Sequence, residues 1–96
     1  MNSEFDAVHN YNERLIFHLI SDSADRYPTL SDDPELLADV ACVALNRMPP
    51  RYVCHDVDMS SYMTSDDRAK SEAAVKAAVE FAFSFVQARL ASPTRR

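Results

Sequence analysis

The sequence predicts a small, mainly α single domain, and three observations carry that prediction. Apolar residues recur at steps of three and four over most of the chain, as on the buried face of a helix. Asp33-Pro34 and Pro49-Pro50 bracket one such run with a start and a stop signal. The chain has only 96 residues, and a chain of that length buries about 60–70% of its unfolded surface, so a monomer is marginal. The expected form is a three-helix or four-helix domain with a short extended segment after Pro49-Pro50, assembled as a helical homodimer. Residues 1–96 read as one unit, with a core at about 8–91 and flexible ends.

Residues 1–6 are a polar start, expected to fray. A first helix is predicted over residues 7–26, where Val8, Tyr11, Leu15 and Leu19 share a face with Ile16 and Ile20 alongside. Ser21, Asp22, Ser23 and Asp25 weaken it and Tyr27-Pro28 stops it. His9 and His18 do not share a face as an i, i+4 metal pair does, and read as surface or half-buried histidines. Residues 29–33 read as a polar linker.

Asp33 is a good N-cap, with Pro34 preorganised for the first helical position, and the second helix runs to about Arg47. Its apolar residues Leu36, Leu37, Val40, Ala41, Val43, Ala44, Leu45 and Met48 cover more than one face, which marks a helix central to the core or held at an interface. Cys42 reads there as a small buried hydrophobe. Asp39 interrupts that surface, either facing solvent or holding the hinge through Arg47 or Arg51.

Residues 51–57 include β-branched side chains and read as a short extended segment, for which a two-fold copy from a second subunit is one available partner. Cys54, His55, Asp56 and Asp58 are metal-type ligands, but successive strand residues point to opposite sides and do not converge without a turn. Residues 58–65 read as a polar loop containing Met59, Tyr62 and Met63. Thr64 or Ser65 with Asp66 and Asp67 starts a third helix that extends to about Ala91, roughly 39 Å at 1.5 Å per residue. Ala73, Ala74, Ala77, Ala78, Phe81, Ala82 and Phe85 form one stripe, with Val75, Val79, Phe83, Val86 and Leu90 near another. Lys76, Glu80 and Arg89 interrupt the run and rule against a membrane span. Small alanines and large phenylalanines make a dimer face the economical reading, with a monomer core as the alternative. Residues 94–96 are a basic tail.

The composition, 47% hydrophobic and 26% charged, is that of an ordinary soluble domain. A net charge of -5 argues against general nucleic-acid binding, which needs a basic surface, whereas a small anionic ligand needs only a local basic patch. Glycine is absent, which excludes the Walker loop, the dinucleotide fingerprint, the nucleophile elbow and the glycine-rich kinase lid. No nucleophile has an identifiable base, so an enzyme is not expected. Two isolated cysteines and a start unlike a signal peptide point to a cytoplasmic protein with reduced thiols.

The junction at residues 39–53, DVACVALNRMPPRYV, gathers an amide (Asn46), two guanidiniums (Arg47, Arg51) and a ring (Tyr52) around Pro50. Arginine forks bind phosphate and also the N7/O6 edge of guanine, and a tyrosine stacks on a base. The plainer reading is that the prolines stop a helix and Arg47 complements its dipole. Arg68 and Lys70, in the third helix's first turns, are secondary candidates beside Asp39.

ALNRMPPRYV resembles the A-L-N-x-L-P-P-x-Y-V signature of the late competence development (ComFB-like) family, and Asn10-Tyr11 with Glu13 is similar to the start of that family's first helix. The resemblance spans about residues 8–90. It implies a small helical dimer acting as a cytoplasmic receptor for a cyclic dinucleotide, cyclic di-GMP first and cyclic di-AMP second, with an unknown protein effector, and it makes the hinge the place to look. The position of Arg51 varies in the family. Other members bind zinc through cysteines between the first two helices; the linker here, RYPTLSDDPEL, has none, so no cofactor is expected. The alternative is a ligand-free dimeric adaptor in competence or motility-type regulation.

Overall fold

The computed structural model describes residues 3–91; the basic tail at 94–96 lies outside them, as do residues 1–2 of the polar start. Ser3–Phe5, within the stretch expected to fray, form one 3-10 turn. The helices are α1 (Tyr11–Ser23), α2 (Pro28–Ser31), α3 (Pro34–Asn46), α4 (Met59–Tyr62) and α5 (Ser65–Ala91), of which α2 and α4 are single turns. Two strands of two residues, β1 (His9–Asn10) and β2 (Tyr52–Val53), pair antiparallel with His9 opposite Val53 and Asn10 opposite Tyr52. The protein is therefore mainly α. Among the described residues no helix is long and apolar enough to cross a membrane.

The first helix starts later than its hydrophobic pattern predicts. The Asn10 side chain accepts from the Asn12 amide at 3.1 Å and caps α1, leaving Val8 outside the helix and exposed. Ile16 and Ile20 are the buried stripe, with Leu15 and Leu19 half-buried beside it. After the 3-10 turn Ala24–Arg26, the expected polar linker contains α2: Pro28 takes its first position and Leu30 is fully buried. A leucine with a proline two residues earlier is enough to fold one turn onto the core.

α3 keeps its predicted start, since Asp33 Oδ1 accepts from Glu35 N at 3.0 Å and Leu36 N at 3.3 Å. It ends at Asn46 with Arg47 as C-cap. Cys42, expected to be buried, is exposed, because α3 carries more apolar circumference than one chain covers. Of residues 51–57 only Tyr52–Val53 form a strand, and its partner is β1 of the same chain instead of a second copy. The expected loop at 58–65 contains α4, with Met59 buried after a 3-10 turn at Asp56–Asp58.

The core lies where α1 and α3 pack on α5. Phe83, Ile16, Leu30, Val40 and Val79 are its largest fully buried apolar side chains, and Tyr27 stacks on Phe83 with ring centroids 4.2 Å apart. The buried stripe of α5 is Val75, Ala78, Val79, Ala82, Phe83 and Val86. Ala78 and Ala82, grouped with the phenylalanine stripe in the sequence pattern, thus belong to the core, at i+3 from Val75 and Val79. Phe81 and Phe85 face outward, each 39% exposed, with the Arg47 guanidinium 3.7 Å above the Phe81 ring. The radius of gyration, 15.2 Å, exceeds the roughly 13 Å of a compact 100-residue domain. The chain is a slab, 46 × 38 × 21 Å, with apolar surface left over.

Phe83→Ala removes the ring on which Tyr27 stacks and opens a cavity in the core, so it is expected to lower unfolding free energy by about 3–5 kcal/mol. Urea titration measures this, and a loss below about 1 kcal/mol contradicts the placement of Phe83 at the centre.

Candidate ligand-binding site

The site grows out of the way the chain fastens its hinge. Pro49 and Pro50 have no amide hydrogens, so the hinge offers only its carbonyls and the amide of Arg51. Asn12 Nδ2 donates to the Pro49 carbonyl at 3.0 Å. Asn10 Oδ1, while capping α1, also accepts from Arg51 N at 3.0 Å. Tyr11 N donates to the Arg51 carbonyl at 2.6 Å. Asn12 is buried, and its Oδ1 has no hydrogen-bond partner among the described residues; its amide orientation is set by the need to donate to Pro49. The start of α1 and the residues after α3 are thus one unit.

Beside this clamp lies a cavity of about 390 Å³ lined by Met48, Pro49, Arg51, Tyr62, Met63, Asp67, Lys70, Ser71 and Ala74. Arg51 comes from the residue before β2, Tyr62 from α4, and Asp67, Lys70 and Ser71 from the first turns of α5. These turns are firm: Thr64 Oγ1 accepts from Asp67 N at 3.0 Å while Asp67 Oδ2 accepts from Thr64 N at 3.2 Å, a reciprocal capping box. Lys70 also pairs with Asp66 at 3.2 Å, an exposed i, i+4 contact of little strength that an anion displaces at small cost. No ion pair among the described residues engages the Arg51 guanidinium.

Of the residues singled out in the sequence, the structure brings Arg51 and Lys70 into this cavity. Tyr52, 67% exposed, lines an adjoining cavity of about 390 Å³ together with Tyr62. Asn46 ends α3 and Pro50 is exposed, neither of them lining the cavity. Arg47 lies over Phe81 instead. Arg68 is exposed in the first turns of α5, and Asp39 is half-buried on α3 and not a free carboxylate. Tyr62, 73% exposed and shared by both cavities, is the residue that the pattern of a polar loop hides. No local signal marks it, because its place follows from the α4 turn that precedes α5.

A second cluster holds the same unit closed. His9 Nε2 bonds Asp56 Oδ1 at 2.5 Å and His9 Nδ1 lies 2.8 Å from the Ala7 carbonyl. Arg14 donates to Asp56 Oδ2 at 3.1 Å. Both ring nitrogens face acceptors, which favours the imidazolium, donor at both positions. The Asp56 hydrogen bond, then the Ala7 carbonyl, raise the His9 pKa, and the His9 hydrogen bond, then Arg14, lower that of Asp56. With Asp56 committed in this way, Cys54, His55, Asp56 and Asp58 form no chelate: among the described residues no group of three or more His, Cys, Asp or Glu could hold a metal ion. An open apolar groove of about 510 Å³ also runs between α1 and α3 past Phe17, Leu37, Ala38, Ala41, Cys42 and Leu45.

Fold and cavity define a small helical domain with a ligand-sized, mixed-charge cavity at a proline hinge. Residues 9–90 match the family model described as late competence development protein ComFB, and the chain belongs to that family. No curated protein and no solved structure matches it.

The His9–Asp56 clasp gives stability a definite pH dependence. Raised His9 contributes fully below its ordinary value of 6.5 and loses that contribution as pH rises through its folded pKa; lowered Asp56 contributes above its ordinary 3.8 and loses that as pH falls through its own folded pKa. The clasp is therefore strongest between 3.8 and 6.5. Proton NMR titration is expected to place the His9 pKa above 6.5, and Asp56→Asn to return it toward that value. An unshifted His9 contradicts the contact.

Proposed function

We propose that this chain is a non-enzymatic cytoplasmic receptor for a cyclic dinucleotide second messenger, with cyclic di-GMP the leading ligand, working as a homodimer that relays its bound state to a protein effector. The observation that carries the reading is the convergence of Arg51 and Lys70 on one cavity beside an exposed tyrosine. A guanidinium fork suits a phosphate or the N7/O6 edge of guanine, an ammonium suits a phosphate, and a ring stacks on a base. A volume of about 390 Å³ lies at the small end of ligand pockets, about 300–1,000 Å³. It suits one half of a two-fold ligand shared by two copies. The outward face of α5, with Phe81, Phe85 and the small Ala77, supplies apolar surface for the subunit contact. A net charge of -5 supports a small anion over a nucleic-acid strand.

The α1/α3 groove favours a second reading, a dimeric adaptor without a small ligand, linked to competence or motility-type regulation. The two coexist if the groove is where the effector docks.

Calorimetric titration with cyclic di-GMP and cyclic di-AMP tests the receptor. Saturable binding at one or two ligands per dimer is expected, with Arg51→Ala weakening it about tenfold or more, the loss of a charge-assisted hydrogen bond. Arg47→Ala, whose guanidinium lies over Phe81 and does not line the cavity, is expected to change affinity less. A folded wild-type chain that binds neither ligand leaves the adaptor.

Light scattering is expected to give twice the chain mass of 10.8 kDa, and Phe81→Glu with Phe85→Glu to give a folded monomer. A wild-type monomer at micromolar concentration defeats the dimer.

A further inference from the structure

The candidate cavity contains one group that the phosphate chemistry above does not use. Asp67 lines it together with Arg51 and Lys70, and a carboxylate beside a phosphate is repulsive. Its Oδ2 is fixed by the Thr64 amide at 3.2 Å, while Oδ1 makes no hydrogen bond among the described residues. The carboxylate is therefore oriented by the helix cap and has an acceptor to spare.

Acceptor-only and donor-only groups in one cavity define a pattern for a base. An ionised carboxylate only accepts and a guanidinium only donates. Guanine offers N1–H and N2–H₂ donors on its pairing edge and the O6 and N7 acceptors next to them. Adenine has an acceptor at N1 and a donor at N6, so the same pose sets a lone pair against the carboxylate and an amino group against the guanidinium. Both mismatches leave polar groups unpaired, and rejection by unpaired groups is the stronger form of selectivity.

We infer that Asp67 is the specificity-determining residue of the cavity, accepting from the pairing edge of guanine while Arg51 donates to its O6/N7 edge, so that the ligand is a guanine and not an adenine cyclic dinucleotide. This rests on the receptor reading above. Lys70, one turn further along α5, is left for the phosphate. Asp67 is a positioning element for its own helix as well, and the two roles separate by substitution. Asp67→Asn retains a carbonyl oxygen for the Thr64 amide but replaces one acceptor by an N–H₂ donor, which suits N1 of adenine. Thr64→Ala removes half of the capping box and leaves the carboxylate in place.

Calorimetric titration of wild type, Asp67→Asn and Thr64→Ala with cyclic di-GMP and with cyclic di-AMP tests the assignment. Wild type is expected to prefer the guanine ligand by about tenfold or more, the discrimination of one good paired contact. Asp67→Asn is expected to bring the affinity ratio to near one or reverse it, and Thr64→Ala to preserve the ratio. An unchanged ratio in Asp67→Asn overturns the inference, as does a Thr64→Ala ratio that shifts equally, or a wild-type preference for adenine. Those outcomes leave the receptor standing. Absence of binding of either ligand to folded wild type removes the receptor reading and this inference with it.

Discussion

Two prolines in succession impose the constraint on which the site depends. They end α3, and they also withdraw two amide donors from the segment that must turn toward β2. Of what remains, the Pro49 carbonyl and both backbone polar groups of Arg51 are taken up by Asn12, Asn10 and Tyr11 at the start of α1. Each of these bonds is worth about 0.5–1.5 kcal/mol. Together they fix the backbone that carries Arg51, and they also explain why α1 begins at Tyr11: the side chain that caps it is the one that holds the hinge.

The same economy organises the charged groups. His9, opposite Val53 in the two-residue ladder, is tied through Asp56 to the segment leading into α4 and Tyr62. The capping box of Thr64 and Asp67 then hands the chain into α5. The cavity wall is thus assembled from the residue before β2, α4 and the N-terminal turns of α5, where α5 stands clear of the core. Below Ala74 the helix begins to bury its stripe, and its role changes from lining a cavity to filling the interior.

What was legible in the sequence was local. Asp33 followed by Pro34 marks the start of α3, Pro49-Pro50 marks its end, and Thr64 with two aspartates marks α5, since each signal acts through neighbouring atoms. What was hidden depends on residues far apart in the chain. Nothing local in Tyr52-Val53 names His9-Asn10 as partner, 42 to 44 positions away by the pairing register, and a lone Leu30 in a polar stretch gives no periodicity. Cys42 misled because a helix apolar on several sides exceeds what one 96-residue chain can cover. In the site, Arg51 and Lys70 were visible as cations, but their meeting at one cavity with Tyr62 and Asp67 follows from where α4 and α5 enter, which no spacing encodes.

No residue among those described adopts a positive φ, and the chain has no glycine to make one easy. Every turn among the described residues is therefore built from backbone shapes open to any L-residue, held in place by prolines and by Asn, Asp and Thr side chains. In evolutionary terms, the usual backbone veto on substitution at turns is missing. The demand falls instead on particular side-chain acceptors and donors, and Asn10 serves two segments with one oxygen.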